Sequence, residues 1–129
     1  AYSFMNDGIR LVSEVVGDTY RNSNGSEVAV IKIANDALMT TKEMSKFYGV
    51  SVSTICKKLK KLFADSGVNK KQVSSILTHK ASDGKLYRTI FYNSQVIITI
   101  GTMLKSPETK QFQEWLSVNC NNVIPNRLN

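Results

Sequence analysis

Cysteine is scarce in this sequence: Cys56 and Cys120 stand far apart and neither has a ligand-like neighbour. A disulfide scaffold is therefore excluded, a zinc site has nothing to build on, and both residues read as reduced thiols. Long apolar runs are lacking too. The longest, Val96-Ile97-Ile98-Thr99-Ile100, falls far short of the roughly 20 residues that cross a bilayer. Ala1-Tyr2-Ser3-Phe4 shows no basic region followed by an apolar stretch, the mark of a secretory signal. A cytoplasmic protein without a membrane partner is expected.

Chemically versatile side chains are equally sparse. His79 is the sole histidine and has no Cys, Asp or Glu at ligand or triad spacing. Glu43, Asp65 and Asp83 are scattered rather than clustered as Mg²⁺-dependent phosphodiester cleavage requires. Gly-rich phosphate loops and Gly-x-Ser-x-Gly elbows are absent. The sequence predicts no catalysis, no cofactor, no metal and no small-molecule substrate.

What the chain does have is positive charge in one place. Among its 129 residues, 17 Lys and Arg face 10 Asp and Glu, for a net charge of +7. Residues 42–88 hold eleven of the bases and three of the acids, a local balance of +8 against −1 elsewhere. A basic stripe on a near-neutral body is the footprint of a polyphosphate binder. A solvated lysine-rich face would carry the same charge, so the pattern within the stripe has to decide. An apolar content of 42 % suffices for one core and is too high for a disordered tail.

Residues 1–26 read as an N-terminal extension. Ile9, Val12, Val15 and Val16 sit at helical spacing, yet their β-branching also permits a strand. Gly17-Asp18 and Asn22-Ser23-Asn24-Gly25-Ser26 are turn material. One domain is expected over residues 27–119, with a frayed tail over 120–129. It opens with a strand over residues 28–33, ended by Asn35-Asp36. Thr40 or Thr41 then caps a helix that runs to Tyr48 and buries Met44, Phe47 and Tyr48. Gly49 stops it, because glycine takes the left-handed conformation without a Cβ clash. Ser51 or Ser53 starts a second helix over residues 52–64, ended by Gly67. At roughly 100° per residue, Ile55, Leu59 and Leu62 fall on one side of it and Ser53, Lys57 and Lys60 on the other. Strands over residues 73–78 and 86–92 flank Asp83-Gly84, a strong hairpin signal. Residues 94–104 have strand propensity, but Asn93 before them can cap a helix. Pro107 at a first-turn position opens a last helix with Phe112, Trp115 and Leu116 at core spacing.

The segment from Thr41 to Lys60 fits a helix-turn-helix on physical grounds. Two helices that cross closely need a small residue near the crossing, and Ser45 serves. The sharp turn needs a residue tolerant of positive φ, and Gly49 serves. Met44, Tyr48, Val50 and Ile55 supply the apolar lock. Lys58 departs from the pattern, standing where an apolar residue is common, and Leu59 has to cover for it. Short polar residues lead the second helix, where a first turn approaches base edges, and lysines suited to phosphates follow. Cys56 projects sideways from this helix, and half-buried packing is expected for it over contact with a thymine methyl. Lys80, Lys85 and Arg88 stand on or near the hairpin turn, either as a wing along the DNA backbone or as lysines that keep a sheet edge soluble.

From residue 28 to 115 the sequence resembles the RhuM family and, more distantly, Bro-N-type domains of phages, mobile elements and large DNA viruses. The matching residues are Leu38-Met39-Thr40-Thr41-Lys42-Glu43-Met44, Phe47-Tyr48-Gly49-Val50-Ser51 and Ser53-Thr54-Ile55. Further on come Ala81-Ser82-Asp83-Gly84-Lys85-Leu86-Tyr87-Arg88-Thr89, Tyr92-Asn93-Ser94-Gln95-Val96-Ile97-Ile98, Gly101 and Gln111-Phe112-Gln113-Glu114-Trp115. The resemblance implies a DNA-binding module of phage or mobile-element origin and a helix over residues 94–104. Family members often carry a further effector domain.

The expectation is thus an α+β fold: a winged helix-turn-helix core with a basic β-hairpin wing and C-terminal helices. Ser51, Ser53, Thr54 and Lys57 would meet major-groove edges. Lys60 and Lys61, with Thr41 and Lys42 near the first helix, would lie along phosphates, and Lys80, Lys85 and Arg88 would hold the flanking backbone. Short hydroxyl side chains discriminate weakly, a good bidentate base contact being worth about 1–3 kcal/mol. Specificity therefore calls for a homodimer on half-sites about one helical turn apart. The expected role is a repressor that occludes a promoter on double-stranded DNA. The alternatives are the DNA-targeting module of a homing nuclease and a protein–protein adaptor with a basic face.

Overall fold

In a computed structural model of the protein, residues 3–6, 16–33, 35–80 and 82–120 are described. They form a mixed α+β arrangement with five helices and two small antiparallel sheets. The strands are β1 (Ser3–Asn6), β2 (Val16–Arg21), β3 (Glu27–Ile33), β4 (Asp36–Leu38), β5 (Ser74–Lys80) and β6 (Leu86–Tyr92). The helices are α1 (Thr41–Tyr48), α2 (Val52–Asp65), α3 (Lys70–Val73), α4 (Ser94–Leu104) and α5 (Glu108–Asn119). One sheet has the order β2-β3-β4 and the other β1-β5-β6. The predicted helical spacing of Ile9, Val12 and Val15 and the tail after residue 120 lie outside the described residues.

The helix pair forms where the sequence predicts it, and its caps show why. The Thr40 hydroxyl accepts the Glu43 N–H at 3.1 Å, and the Ser51 hydroxyl accepts the Thr54 N–H at 3.0 Å. Each satisfies a backbone donor that a helix start leaves orphaned. Gly49 between the helices has φ +68°, and its N–H returns to the Ser45 carbonyl. Met44, Phe47, Ile55, Leu59 and Leu62 are buried against one another and against α4 and α5. Tyr48 and Val50 are partly buried against the same core.

Residues 94–104 are helical despite their β-branched composition. Asn93 caps α4, its Oδ1 accepting the Val96 N–H at 3.2 Å. Val96, Ile97 and Ile100 then bury one helical stripe in the shared core, and tertiary burial overrides local propensity.

Three local expectations are corrected. Gly17-Asp18, read as a turn, lie inside β2, paired with Ile31 and Val30. Asp18 there forms an ion pair with Lys32 at 3.4 Å, and Tyr20 on the same strand is buried among Phe47, Phe112 and Trp115. Asn35 does end β3, at φ +66°, but Asp36 starts the next strand, which folds back on β3. Asn suits such a left-handed turn residue because its short polar side chain tolerates positive φ. Val73, read as the start of a strand, instead closes the short helix α3, which Asn69 caps through the Lys71 N–H at 2.9 Å.

β3 holds the layers together. Val28 and Val30 face the helical core, while Ile31 joins Leu38, Leu77 and Phe91 in a second cluster between the sheets. This is the period-two alternation of a strand covered on both sides. The β2–β3 turn is tied to α1 by Asn22, which is buried. Its Nδ2 donates to the Phe47 carbonyl at 2.8 Å, and its Oδ1 accepts the N–H groups of Asn24 and Ser26 at 3.0 and 2.9 Å. One side chain thus serves a last-turn carbonyl of α1 and two turn amides. Asn22→Ala is expected to lower stability by about 2–3 kcal/mol, since buried polar groups left unpaired cost about 1–3 kcal/mol. Urea midpoints measure this, and a variant within 0.5 kcal/mol (roughly the level of a neutral surface change) would refute the assigned role.

Candidate nucleic-acid interface

The side of α2 away from the core carries the charge. Lys57, Lys60 and Lys61 are exposed, as is Ser53. Lys61 shares its charge with Asp65 at 3.4 Å, whereas Lys57 and Lys60 have no acidic partner among the described residues. Lys58, at the position expected to be apolar, is half-buried, and Leu59 beside it fills the core. Ionic contacts of such exposed lysines are weak within the protein, so their charge stays available to a polyanion.

The remaining predicted residues distribute as follows. Thr41 is the first residue of α1 and half-buried, with Lys42 exposed beside it. Ser51 is the N-cap of α2, and its hydroxyl lies 3.0 Å from that of Thr54, itself half-buried. Two of the expected base-reading hydroxyls are therefore engaged in capping, which leaves Ser53 as the outward hydroxyl of the first turn. Lys85 and Arg88 are exposed on the hairpin, and Lys80 pairs with Leu86 beside the turn. Cys56 is exposed rather than half-buried as predicted, because it stands beyond the Ile55–Leu59–Leu62 stripe of α2 that packs against α1 and α4.

The base of the hairpin touches α2. Tyr92, at the base of β6, packs its ring on Phe63 of α2, with centroids 6.3 Å apart. Burial, and then the neighbouring Cys56, push the Tyr92 phenol above its usual pKa. Side chains alternate along a strand, so Tyr92, Ile90, Arg88 and Leu86 share one face of β6. Arg88 therefore lies on the same face of β6 as Tyr92, the residue that meets Phe63 of α2. Gly84 turns the hairpin at φ +84°. Asp83 fixes the turn by accepting the Lys85 N–H and the Tyr87 hydroxyl, each at 2.9 Å, which holds its carboxyl below the usual range.

Among the described residues, no three or more His, Cys, Asp or Glu side chains gather as a metal site would need, and no helix is long and apolar enough to cross a membrane. The exposure of Val52, at 41 %, had no counterpart in the sequence reading. A helical wheel places it at the margin of the core stripe, where only the packing of neighbours decides. No protein-family model, no curated protein and no solved structure matches this chain.

Proposed function

We propose that the protein binds double-stranded DNA as a winged helix-turn-helix, with α2 in the major groove, α1 behind it and the β5–β6 hairpin as the wing. It acts as a non-enzymatic, cytoplasmic repressor from a phage or mobile element of RhuM-like kind, binding as a homodimer and occluding a promoter. The observation that carries this reading is the outward row of Ser53, Lys57 and Lys60 on α2, together with a basic hairpin whose Arg88 shares a strand face with Tyr92, the residue that meets Phe63 of α2. A helix with a short polar first turn and unpaired lysines behind it meets base edges and phosphates in that order. A hairpin on one flank adds contacts to the adjacent backbone.

The test is selection from random duplexes at near-physiological salt. An enriched two-fold motif is expected, with its enrichment lost in the double variant S53A/K57A. Uniform retention of every duplex, vanishing as salt rises, would leave only a basic surface and favour an adaptor for an acidic protein.

A further inference from the structure

The outward face of α2 is not uniformly polar. Val52, its first residue, is 41 % exposed, and Cys56, one turn on, is exposed too. At about 100° per residue they lie about 40° apart around the helix, with Lys60 about 40° beyond Cys56 and Ser53 and Lys57 next. They form an apolar margin between the lysines and the buried stripe of Ile55, Leu59 and Leu62. An exposed β-branched residue adds little to the core and lowers helix propensity. The nearby polar groups do not compensate, because the Ser51 and Thr54 hydroxyls are engaged with each other and with the cap. Toward a ligand the first two turns thus present the Val52 methyls, the Cys56 thiol and the Ser53 hydroxyl. Arg, Asn and Gln do not occur on α2, so its lysines are the side chains there that can read a base edge bidentately, at guanine.

The thymine 5-methyl is the apolar group that a base pair displays in the major groove. Resting on the DNA-binding reading above, we infer that Val52 and Cys56 receive thymine methyl groups and so set a preference for A·T pairs beneath the first turn of α2. Lys57 and Lys60 on the adjoining strip provide the charge complementarity that seats this margin against the groove. Val52 and Cys56 are specificity-determining positions in this arrangement, and Ser51 and Thr54 support the helix start.

The test compares selected duplexes with copies in which every thymine is replaced by deoxyuridine, which removes only the methyl group. The wild-type protein is expected to bind the uracil copy about fourfold more weakly for each methyl contacted, the equivalent of one buried carbon. V52A, at an exposed helical position that keeps the fold, should lose part of this discrimination, and V52A/C56A more of it. Sequence-selective binding with equal affinity for both copies overturns the inference and leaves the DNA-binding reading standing. So does a double variant that discriminates like the wild type, or an enriched motif without thymine in its half-sites. Failure to enrich any duplex overturns both.

Discussion

Reversing Lys57 and Lys60 together (K57E/K60E) is expected to lower duplex affinity about a thousandfold with the fold intact. The two changes shift the charge of one helix face by four units. At about 4 Å in water each unit is worth about 1 kcal/mol against a phosphate, and about 4 kcal/mol is close to a thousandfold in Kd. Both side chains are exposed and, among the described residues, make no ion pair that the variant would break. K61E should do less, because Asp65 at 3.4 Å already offsets part of that charge. The neutral variant K60A should weaken all sequences alike and reduce the slope of log K against log salt by about one. Filter binding or fluorescence anisotropy at several salt concentrations measures these effects. If K57E/K60E stays within tenfold of wild type while circular dichroism shows it folded, α2 is not the DNA-contacting helix.

Gly101→Ala should destabilise the fold by about 3 kcal/mol, at the upper end of overpacking, or about 10 °C in Tm for a domain of this size. The sign is opposite to the usual one. In an open helix interior alanine is favoured over glycine by about 1 kcal/mol. Here a Cβ would overlap Thr109 Oγ1 and stand 2.5 Å from the Tyr48 hydroxyl oxygen. Tyr48 cannot easily retreat, because its hydroxyl donates to the Ile97 carbonyl at 2.5 Å and is largely buried, burial being the main cause that raises its pKa. The glycine therefore leaves the space on α4 that the Tyr48 ring of α1 and the Thr109 side chain of α5 fill. G101A/T109A, which removes the hydroxyl in the way, is expected to regain part of the loss. A G101A protein as stable as wild type would show that the three helices part without cost.

Several features were legible from local chemistry. Thr40, Ser51 and Asn93 cap the helices they precede, and Asp83-Gly84 turns the hairpin, because each acts through atoms within a few residues of itself. The same locality misled at Gly17-Asp18. That dipeptide has turn chemistry, but its pairing with Ile31 and Val30 and the burial of Tyr20 three residues on outweigh it. The role of Asn22 was hidden because its partner, the Phe47 carbonyl, lies 25 residues away. At the candidate interface the lysines of α2 were readable from helical spacing. The exposure of Val52 and Cys56 was not, since it depends on how far α1 and α4 reach around the helix.

By itself the sequence determined the helix starts, the glycine turn, the hairpin tip and the basic stripe, all set by residues that interact with near neighbours or by charge that needs no partner. Only the tertiary structure decided that β2 and the helices would share a core and that Tyr92 at the base of the hairpin would meet Phe63 of α2. Those outcomes depend on burial between segments distant in the chain, and the free energy of burial belongs to the pair of surfaces rather than to either sequence alone.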